Sequence, residues 1–108
     1  MVNTTSKTTY NMLMEAGVIT KQLDYAVLRM FRFETFSYHH IMRECDLIQS
    51  SASRVLNQLK SHGYCVEIDR VIIGGYSCSL LGWTKEGMER HNELSKKAIT
   101  LEMNNGNN

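Results

Sequence analysis

Apolar side chains recur at helical spacing in the middle of the chain. Four of them fall at i, i+3, i+4 and i+7 and form one stripe of a helix: Ala52, Val55, Leu56 and Leu59. The opposite face is polar and carries no acid: Ser50, Arg54, Asn57 and Ser61. Gly63 follows and can take the left-handed conformation that ends a helix. The pattern predicts a helix at about residues 49–62 with one buried and one free face.

Two helical stripes precede this segment. Tyr10, Leu13 and Met14 share a face, which predicts a first helix from about residue 7 to 16, ended by a glycine. Thr20 is a suitable N-cap for a second helix that ends near Phe33. Its core-facing stripe is Leu23, Val27, Met30 and Phe31. Residues 34–36 are expected to form a turn.

A third helix is predicted directly before the central one. Ser37 caps it, and the helix runs from Tyr38 to Cys45. Its apolar stripe is Tyr38, Ile41, Met42 and Cys45. Residues 46–49 leave room only for a turn, so this helix and the central one form a helix-turn-helix unit.

After Gly63 the apolar period changes from that of a helix to that of a strand. β-Branched residues dominate. Three apolar residues occupy every second position, Val66, Ile68 and Ile72, although Arg70 falls in the same register. Gly74 and Gly75 suit a hairpin turn, which needs positive φ. Residues 76–83 form the return strand. This hairpin is the expected wing.

A last helix is expected after Thr84, its N-cap. Its stripe has the 4, 3, 4, 3 spacing of a heptad pattern: Gly87, His91, Leu94, Ala98 and Leu101. Two heptads are too few for an independent coiled coil, so the helix must pack on its own domain or on a second copy. Residues 1–9 are expected to be a flexible arm and 103–108 a disordered tail. Between them, residues 10–102 form one mainly α domain with a small β-hairpin, an α+β winged helix-turn-helix.

Composition narrows the class of protein. No apolar run approaches the ~20 residues that span a bilayer, and the N-terminus lacks a secretory pattern, so a cytoplasmic location is expected. Three cysteines without close pairing indicate free thiols, one of which is a remote candidate for oxidant sensing. The histidines and cysteines fit no standard zinc spacing, and no nucleophilic site is suggested. We therefore expect no metal, no cofactor and no enzyme activity.

The free face of the central helix suits nucleic acid. It offers hydroxyl, amide and guanidinium groups, which pair with phosphate oxygens and with base edges in the major groove. The net charge is only +1, whereas dedicated nucleic-acid binders are usually more basic. The net charge therefore does not support DNA binding by itself. The distribution of charge over the surface has to support it.

The order of elements and two segments resemble the MarR group of winged-helix transcriptional regulators. Residues 50–64 are similar to the group's Ser-Arg-containing recognition helix with its closing Leu-x-x-x-Gly. Residues 81–87, Leu-Gly-Trp-Thr-Lys-Glu-Gly, are similar to its junction between the wing and the last helix. The resemblance covers about residues 19–101.

The resemblance implies a homodimer that regulates transcription by binding double-stranded DNA, with two recognition helices in successive major grooves. The residues it places against DNA are Ser37, Tyr38, Gln49, Ser50, Ser51, Ser53, Arg54, Asn57, Gln58 and Arg70. The residues it places at the dimer interface, on the first and last helices, are Tyr10, Leu13, Met14, His91, Leu94, Ala98 and Leu101. The operator, any effector, and the choice between repression and activation stay open.

The chain departs from the group in its wing. The tip is apolar, and Arg70 is the basic residue that the wing offers, so few phosphate contacts are expected. An uncharged apolar wing is also typical of a surface that contacts protein. The alternative is therefore a winged-helix interaction module, an adaptor or inhibitor, that docks through its wing and terminal helices. The chain is also shorter than many of the group, which leaves little room for a separate ligand pocket.

Overall fold

A computed structural model describes the backbone of residues 2–106 and the side chains of residues 9–100. The described chain forms five helices and three strands in the order α1 (Val2–Glu15), α2 (Gln22–Met30), β1 (Thr35–Phe36), α3 (Tyr38–Cys45), α4 (Gln49–Ser61), β2 (Cys65–Ile73), β3 (Tyr76–Trp83) and α5 (Lys85–Gly106). The mainly α class with a β-hairpin wing is confirmed.

The core lies beneath α4 and is built from the predicted stripes. The α4 stripe is buried, with Ala52, Val55 and Leu59 fully so. These side chains belong to one apolar cluster with α2, α3, Phe36 and Leu94. Removing apolar surface from water is the main stabilising contribution, about 25 cal/mol per Å². Because the domain itself buries this apolar stripe, α4 leaves its opposite, polar face exposed.

The wing is an antiparallel hairpin of β2 and β3 with an irregular register. Gly74 and Gly75 have φ of +59° and +85°, as the tight turn requires. The pairing shifts by one residue after Glu67, so Ile68 is a bulge. Every later side chain of β2 therefore changes face, and Arg70 lies on the face of Glu67. This bulge explains why the arginine fell in the apolar register of the sequence.

Two boundaries around α2 differ from the prediction. The N-cap is Lys21, not Thr20. Thr20 instead donates its backbone N–H and its hydroxyl to Oδ2 of Asp24, at 3.2 and 3.3 Å. The helix ends at Met30 rather than near Phe33, whose carbonyl oxygen accepts a hydrogen bond of 3.0 Å from the Trp83 indole. A tertiary contact thus takes the place of another helical turn.

The predicted turn at residues 34–36 is wrong in part. Thr35 and Phe36 form β1, which pairs with Gly82 and Leu81 of β3 and completes a sheet in the order β1-β3-β2. Two residues are too few to show a period, and their partners lie more than forty residues later. The pairing places Phe36 fully inside the core.

The terminal helices are longer than predicted. α1 begins at Val2 instead of residue 7, within the expected arm, and α5 continues to Gly106, into the expected tail. Neither segment contains proline, and extending an existing helix adds one hydrogen bond for each residue fixed. Residues 1, 107 and 108 lie outside the described residues, and the flexibility of the ends stays a prediction.

Candidate nucleic-acid interface

α4 is held by a short turn from α3 that aims its N-terminus outward. Asp46 has φ of +56°, a left-handed conformation that Asp tolerates, and its backbone N–H donates to the Met42 carbonyl oxygen. Ile48 is extended, and α4 then begins at Gln49, as predicted. The outward face is exposed at four polar positions, Ser50, Arg54, Asn57 and Ser61.

The beginning of α3 presents Tyr38 but not Ser37. Ser37 is fully buried as the helix N-cap, and its backbone N–H donates to Nδ1 of His40 at 3.1 Å. The expected contact between its side chain and DNA is therefore wrong for this conformation. A hydroxyl one residue from a helix start reads the same in sequence whether it caps or contacts a ligand.

Three clefts bring most of the predicted contact residues together. One of about 240 Å³ lies between α3, α4 and the wing and is lined by Tyr38, Ser53, Asn57 and Arg70, among others. A second, of about 680 Å³, joins Tyr38 and Gln49 to the wing tip. A third, of about 440 Å³, is formed by α4 itself. We call this region the α4–wing surface, defined by Tyr38, Gln49, Ser50, Ser53, Asn57 and Arg70.

The remaining predicted contacts lie beside this surface. Arg54 is exposed and donates from its guanidinium to Oε1 of Gln22 at 3.4 Å, a weak bond that a ligand can replace. Ser51 and Gln58 are half-buried at its margin. The backbone carbonyl oxygen of Gln58 accepts a hydrogen bond of 2.9 Å from the backbone N–H of His62.

Glu67 partly neutralises two bases, Lys60 of α4 and Arg70 of the wing. Glu67 Oε1 lies 3.9 Å from Nζ of Lys60 on α4 and 3.2 Å from a terminal nitrogen of Arg70. Arg70 also donates from Nε to the Ser77 hydroxyl at 2.9 Å and from a terminal nitrogen to the Ser79 hydroxyl at 3.2 Å. The wing arginine is therefore held within the wing.

A denser group of bases lies away from α4. Arg29, Arg32 and Arg43 all contact Glu44 on α3, at 3.7 Å for Arg29 and 3.2 Å for Arg43. All three arginines are largely exposed, whereas Glu44 is 11% exposed. Three arginines thus gather around one acid on this side of the molecule, whereas the α4–wing surface is polar more than basic.

A pair that the sequence prediction missed holds α5 to the domain. Asp24 is 1% exposed and accepts a hydrogen bond of 2.9 Å from Arg90. Burial raises the pKa of Asp24, but hydrogen bonds from Arg90 and Thr20 outweigh it, so the pKa lies below its usual value. The residues are far apart in sequence, and neither falls on a polar stripe that would pair them.

The predicted dimer residues divide into two groups. Leu94 is fully buried in its own core, and His91 stacks on Phe31 with ring centroids 3.9 Å apart. An interface contact by Leu94 is therefore wrong, because the domain already covers it.

The second group of predicted dimer residues is partly exposed or outside the described side chains. Tyr10 packs on Tyr25 with ring centroids 5.3 Å apart, and Leu13 and Ala98 are half-buried. Met14 is 37% exposed, and the side chain of Leu101 lies outside the described residues.

The cysteines are poor candidates for reactive thiols. Cys45, Cys65 and Cys78 are all free and buried. Burial raises the pKa of Cys45 and of Cys65 to about 12, which disfavours the thiolate that reacts with oxidants. Oxidant sensing at these two positions is therefore opposed by their surroundings.

A small cavity lies below α1. It measures about 230 Å³ and is lined by Tyr10, Asn11, Gln22, Tyr25, Cys45, Asp46 and Leu47. Ligand pockets generally span about 300–1,000 Å³. The cavity is smaller than that range, consistent with the limited room expected from the chain length.

Neither family profiles nor curated sequences match this chain. Solved structures do. PcaV from Streptomyces coelicolor, a transcriptional regulator, superposes with a TM-score of 0.62 at 20% identity over 94% of this chain and 75% of that one. The chain has the MarR-like winged-helix fold.

Two further structures share this winged helix. PcaV in complex with its natural ligand gives a TM-score of 0.58 at 23% identity, over 76% of this chain and 57% of that one. This chain therefore spans little more than half of that protein. A mutant of S. aureus MepR bound to an oligodeoxyribonucleotide gives 0.59 at 14% identity, over 96% of this chain and 75% of that one.

Two further properties hold for the part of the chain that is described. Its side chains form no group of three or more His, Cys, Asp or Glu residues that could hold a metal ion. None of its helices combines the length and apolar character needed to cross a membrane.

Proposed function

We propose that this protein is a sequence-specific DNA-binding transcriptional regulator that acts as a homodimer, without enzyme activity, in the compartment that holds the DNA. One observation carries the proposal. The acid-free face of α4, the start of α3 and the wing converge on the α4–wing surface, within a fold shared with transcriptional regulators. MepR, one of the structures with this fold, was solved with bound oligodeoxyribonucleotide.

Each exposed group of α4 has a role in this proposal. Arg54 contacts guanine or a phosphate, and Asn57 reads adenine through its amide, with Gln58 as a second candidate. Ser50 and Ser51 lie in the first turn of α4, where free backbone N–H groups favour a phosphate. Tyr38, Gln49 and Ser53 line the same clefts and position the backbone.

The dimer is needed because each protomer offers few cations to DNA. On α4 the bases are Arg54 and Lys60, and the wing adds Arg70. Two copies of α4 double these contacts and enter successive major grooves about 34 Å apart. The exposed apolar side chains on the terminal helices, Met12, Met14 and Ile99, support an interface there.

The test is Arg54→Ala in the full chain, measured by fluorescence anisotropy with a duplex chosen from a randomised pool. Arg54 is exposed, so the fold stays intact while specific binding weakens by about 1–3 kcal/mol. Arg43→Ala is the matched control, since Arg43 is also exposed but contacts Glu44. Equal affinity of the Arg54 variant and the unmodified protein would contradict the proposed role.

A specific observation also favours a second candidate, a protein-interaction module. Four apolar wing residues are at least half exposed: Val66, Ile68, Ile72 and Tyr76. Large exposed apolar side chains on one hairpin are typical of a surface that contacts protein. This candidate predicts a stoichiometric protein complex that Ile72→Ser and Tyr76→Ser disrupt and Arg54→Ala leaves unchanged. Isothermal titration with the purified partner distinguishes the two.

A further inference from the structure

Glu67 is placed where a ligand of the proposed DNA surface would be expected. Its carboxylate lies between a base of α4 and a base of the wing, 3.9 Å from Nζ of Lys60 and 3.2 Å from Arg70. The Ser79 hydroxyl donates to the same oxygen. Ammonium, guanidinium and hydroxyl groups converging on one anionic oxygen are the donors that proteins use for phosphate.

Stability does not account for this arrangement. The side chains of Lys60, Glu67 and Arg70 are 39%, 32% and 52% exposed. Ion pairs at that exposure contribute little to folding, because water screens them. The hairpin register is already set by its backbone pairing and by the glycine turn.

The cluster adjoins the predicted contact residues. Arg70 and Ser79 line the same 240 Å³ cleft as Tyr38, Ser53 and Asn57. A DNA backbone that follows α4 past Asn57 towards the wing therefore reaches the cations that Glu67 already occupies.

We propose that Glu67 is an internal substitute for a DNA phosphate, which keeps Lys60 and Arg70 paired until DNA displaces it and thereby limits affinity for DNA of any sequence. This inference rests on the proposed function. Phosphate contacts carry no base information, so the carboxylate lowers specific and non-specific binding by similar factors. Displacement by phosphate frees both cations at once.

The test compares Glu67→Gln with Asp69→Asn in the full chain. Gln keeps the size of Glu67 and can still accept from Ser79, but it removes the charge. Asp69 lies two residues away on the exposed strand, and its carboxylate accepts from the Arg70 backbone N–H at 2.8 Å. Both variants therefore lose one negative charge, but only the first frees Lys60 and Arg70.

Anisotropy is measured with the selected duplex and with an unrelated duplex, across a range of salt concentrations. Glu67→Gln is expected to bind both duplexes on the order of ten-fold more tightly at low salt. The slope of log affinity against log salt should stay nearly unchanged, because DNA displaces Glu67 in the unmodified protein and both proteins then make the same phosphate contacts. Asp69→Asn changes affinity by less than about three-fold. Adding Arg70→Gln to Glu67→Gln removes most of the gain. Thermal unfolding stays within a few degrees for both single variants.

The outcomes separate this inference from the proposed function. If the unmodified protein binds the selected duplex and Glu67→Gln binds no more tightly than Asp69→Asn, the inference is overturned and the DNA-binding proposal stands. A Glu67→Gln variant that tightens binding of the selected duplex but not of the unrelated one also overturns it, because phosphate contacts carry no base information. If neither protein binds any duplex, both proposals fail.

Discussion

α4 and α5 were both predicted from apolar stripes, and the structure treats the two helices differently. The α4 stripe is covered throughout by its own domain, so that Ala52 and Leu59 are solvent-free. The described part of α5 is covered less completely, and its coverage decreases beyond Leu94. Leu94 is fully buried, Ala98 half-buried and Ile99 55% exposed.

The difference separates a helix whose apolar stripe is buried by its own domain from a helix that leaves apolar surface exposed. α5 has 22 residues and so a length of about 33 Å, and none of its described side chains beyond Leu94 is fully buried. The free face of α4 is polar and suits a ligand, whereas the uncovered part of α5 includes apolar surface and suits a second copy.

The largest expected effect concerns the anchored half of α5. Asp24→Asn should lower the free energy of unfolding by about 3 kcal/mol, because it leaves the Arg90 charge without its buried partner. Urea denaturation followed by circular dichroism measures it. Glu34→Gln, at an exposed loop position, should change stability by less than about 0.5 kcal/mol. Equal effects of the two substitutions would mean that the ion pair does not anchor α5.

The junction between the wing and α5 gives the next largest effect. Gly87 is buried, and an added Cβ would overlap the Tyr64 carbonyl oxygen and lie 2.8 Å from the Trp83 ring. Gly87→Ala should therefore destabilise the protein by about 2 kcal/mol. Glu89→Ala, exposed on the same helix, is the control in the same denaturation series. A Gly87 variant as stable as the control would show that this junction is not closely packed.

The uncovered half of α5 is tested through assembly. Ile99→Glu should leave protomer stability within about 0.5 kcal/mol, since Ile99 is exposed, but raise the dimer dissociation constant at least about ten-fold. Sedimentation equilibrium measures the change. Lys97→Glu, which is exposed on another face of α5, is the control. A dimer unaffected by Ile99→Glu would place the interface elsewhere.

The smallest effect is a pH dependence of stability, from His91 on α5 and His40 on α3. Burial lowers the pKa of His91, and burial with the nearby Arg43 lowers that of His40, from an ordinary 6.5. The unfolded chain therefore takes up protons first as the pH falls. Stability from both groups is complete above pH 6.5 and declines as the pH falls through their folded pKa values. His91→Phe keeps the stacking on Phe31 and should reduce the loss of unfolding free energy between pH 7 and 5, measured by urea denaturation at each pH. An unchanged dependence of the unfolding free energy on pH would contradict this prediction.

The sequence predicted the elements whose determinants are local. The α4 stripe, the cap of α3 and the Gly74-Gly75 turn are each complete within a few residues, and the structure confirms them. The elements and contacts that the sequence analysis missed depend on residues far away in the chain. β1 forms only because β3 lies beside it, and Asp24 is buried only because Arg90 reaches it.

The candidate site shows the same limit. The exposed face of α4 followed from its period, and the structure brings the wing and α3 alongside it. Ser37 caps α3 as predicted, but its burial opposes the DNA contact that was also assigned to it, because capping and ligand contact use the same residue type. The pairing of Arg70 with Glu67 was hidden by the bulge at Ile68, which reverses the alternation that a strand pattern assumes.

The most direct test of DNA recognition is selection from a randomised duplex pool at low salt, followed by footprinting of the recovered sequences. We predict a near-palindromic site whose two half-sites lie about one helical turn apart, protected on successive major grooves. Retention of no duplex above the level without protein would contradict the proposal that the α4–wing surface reads DNA.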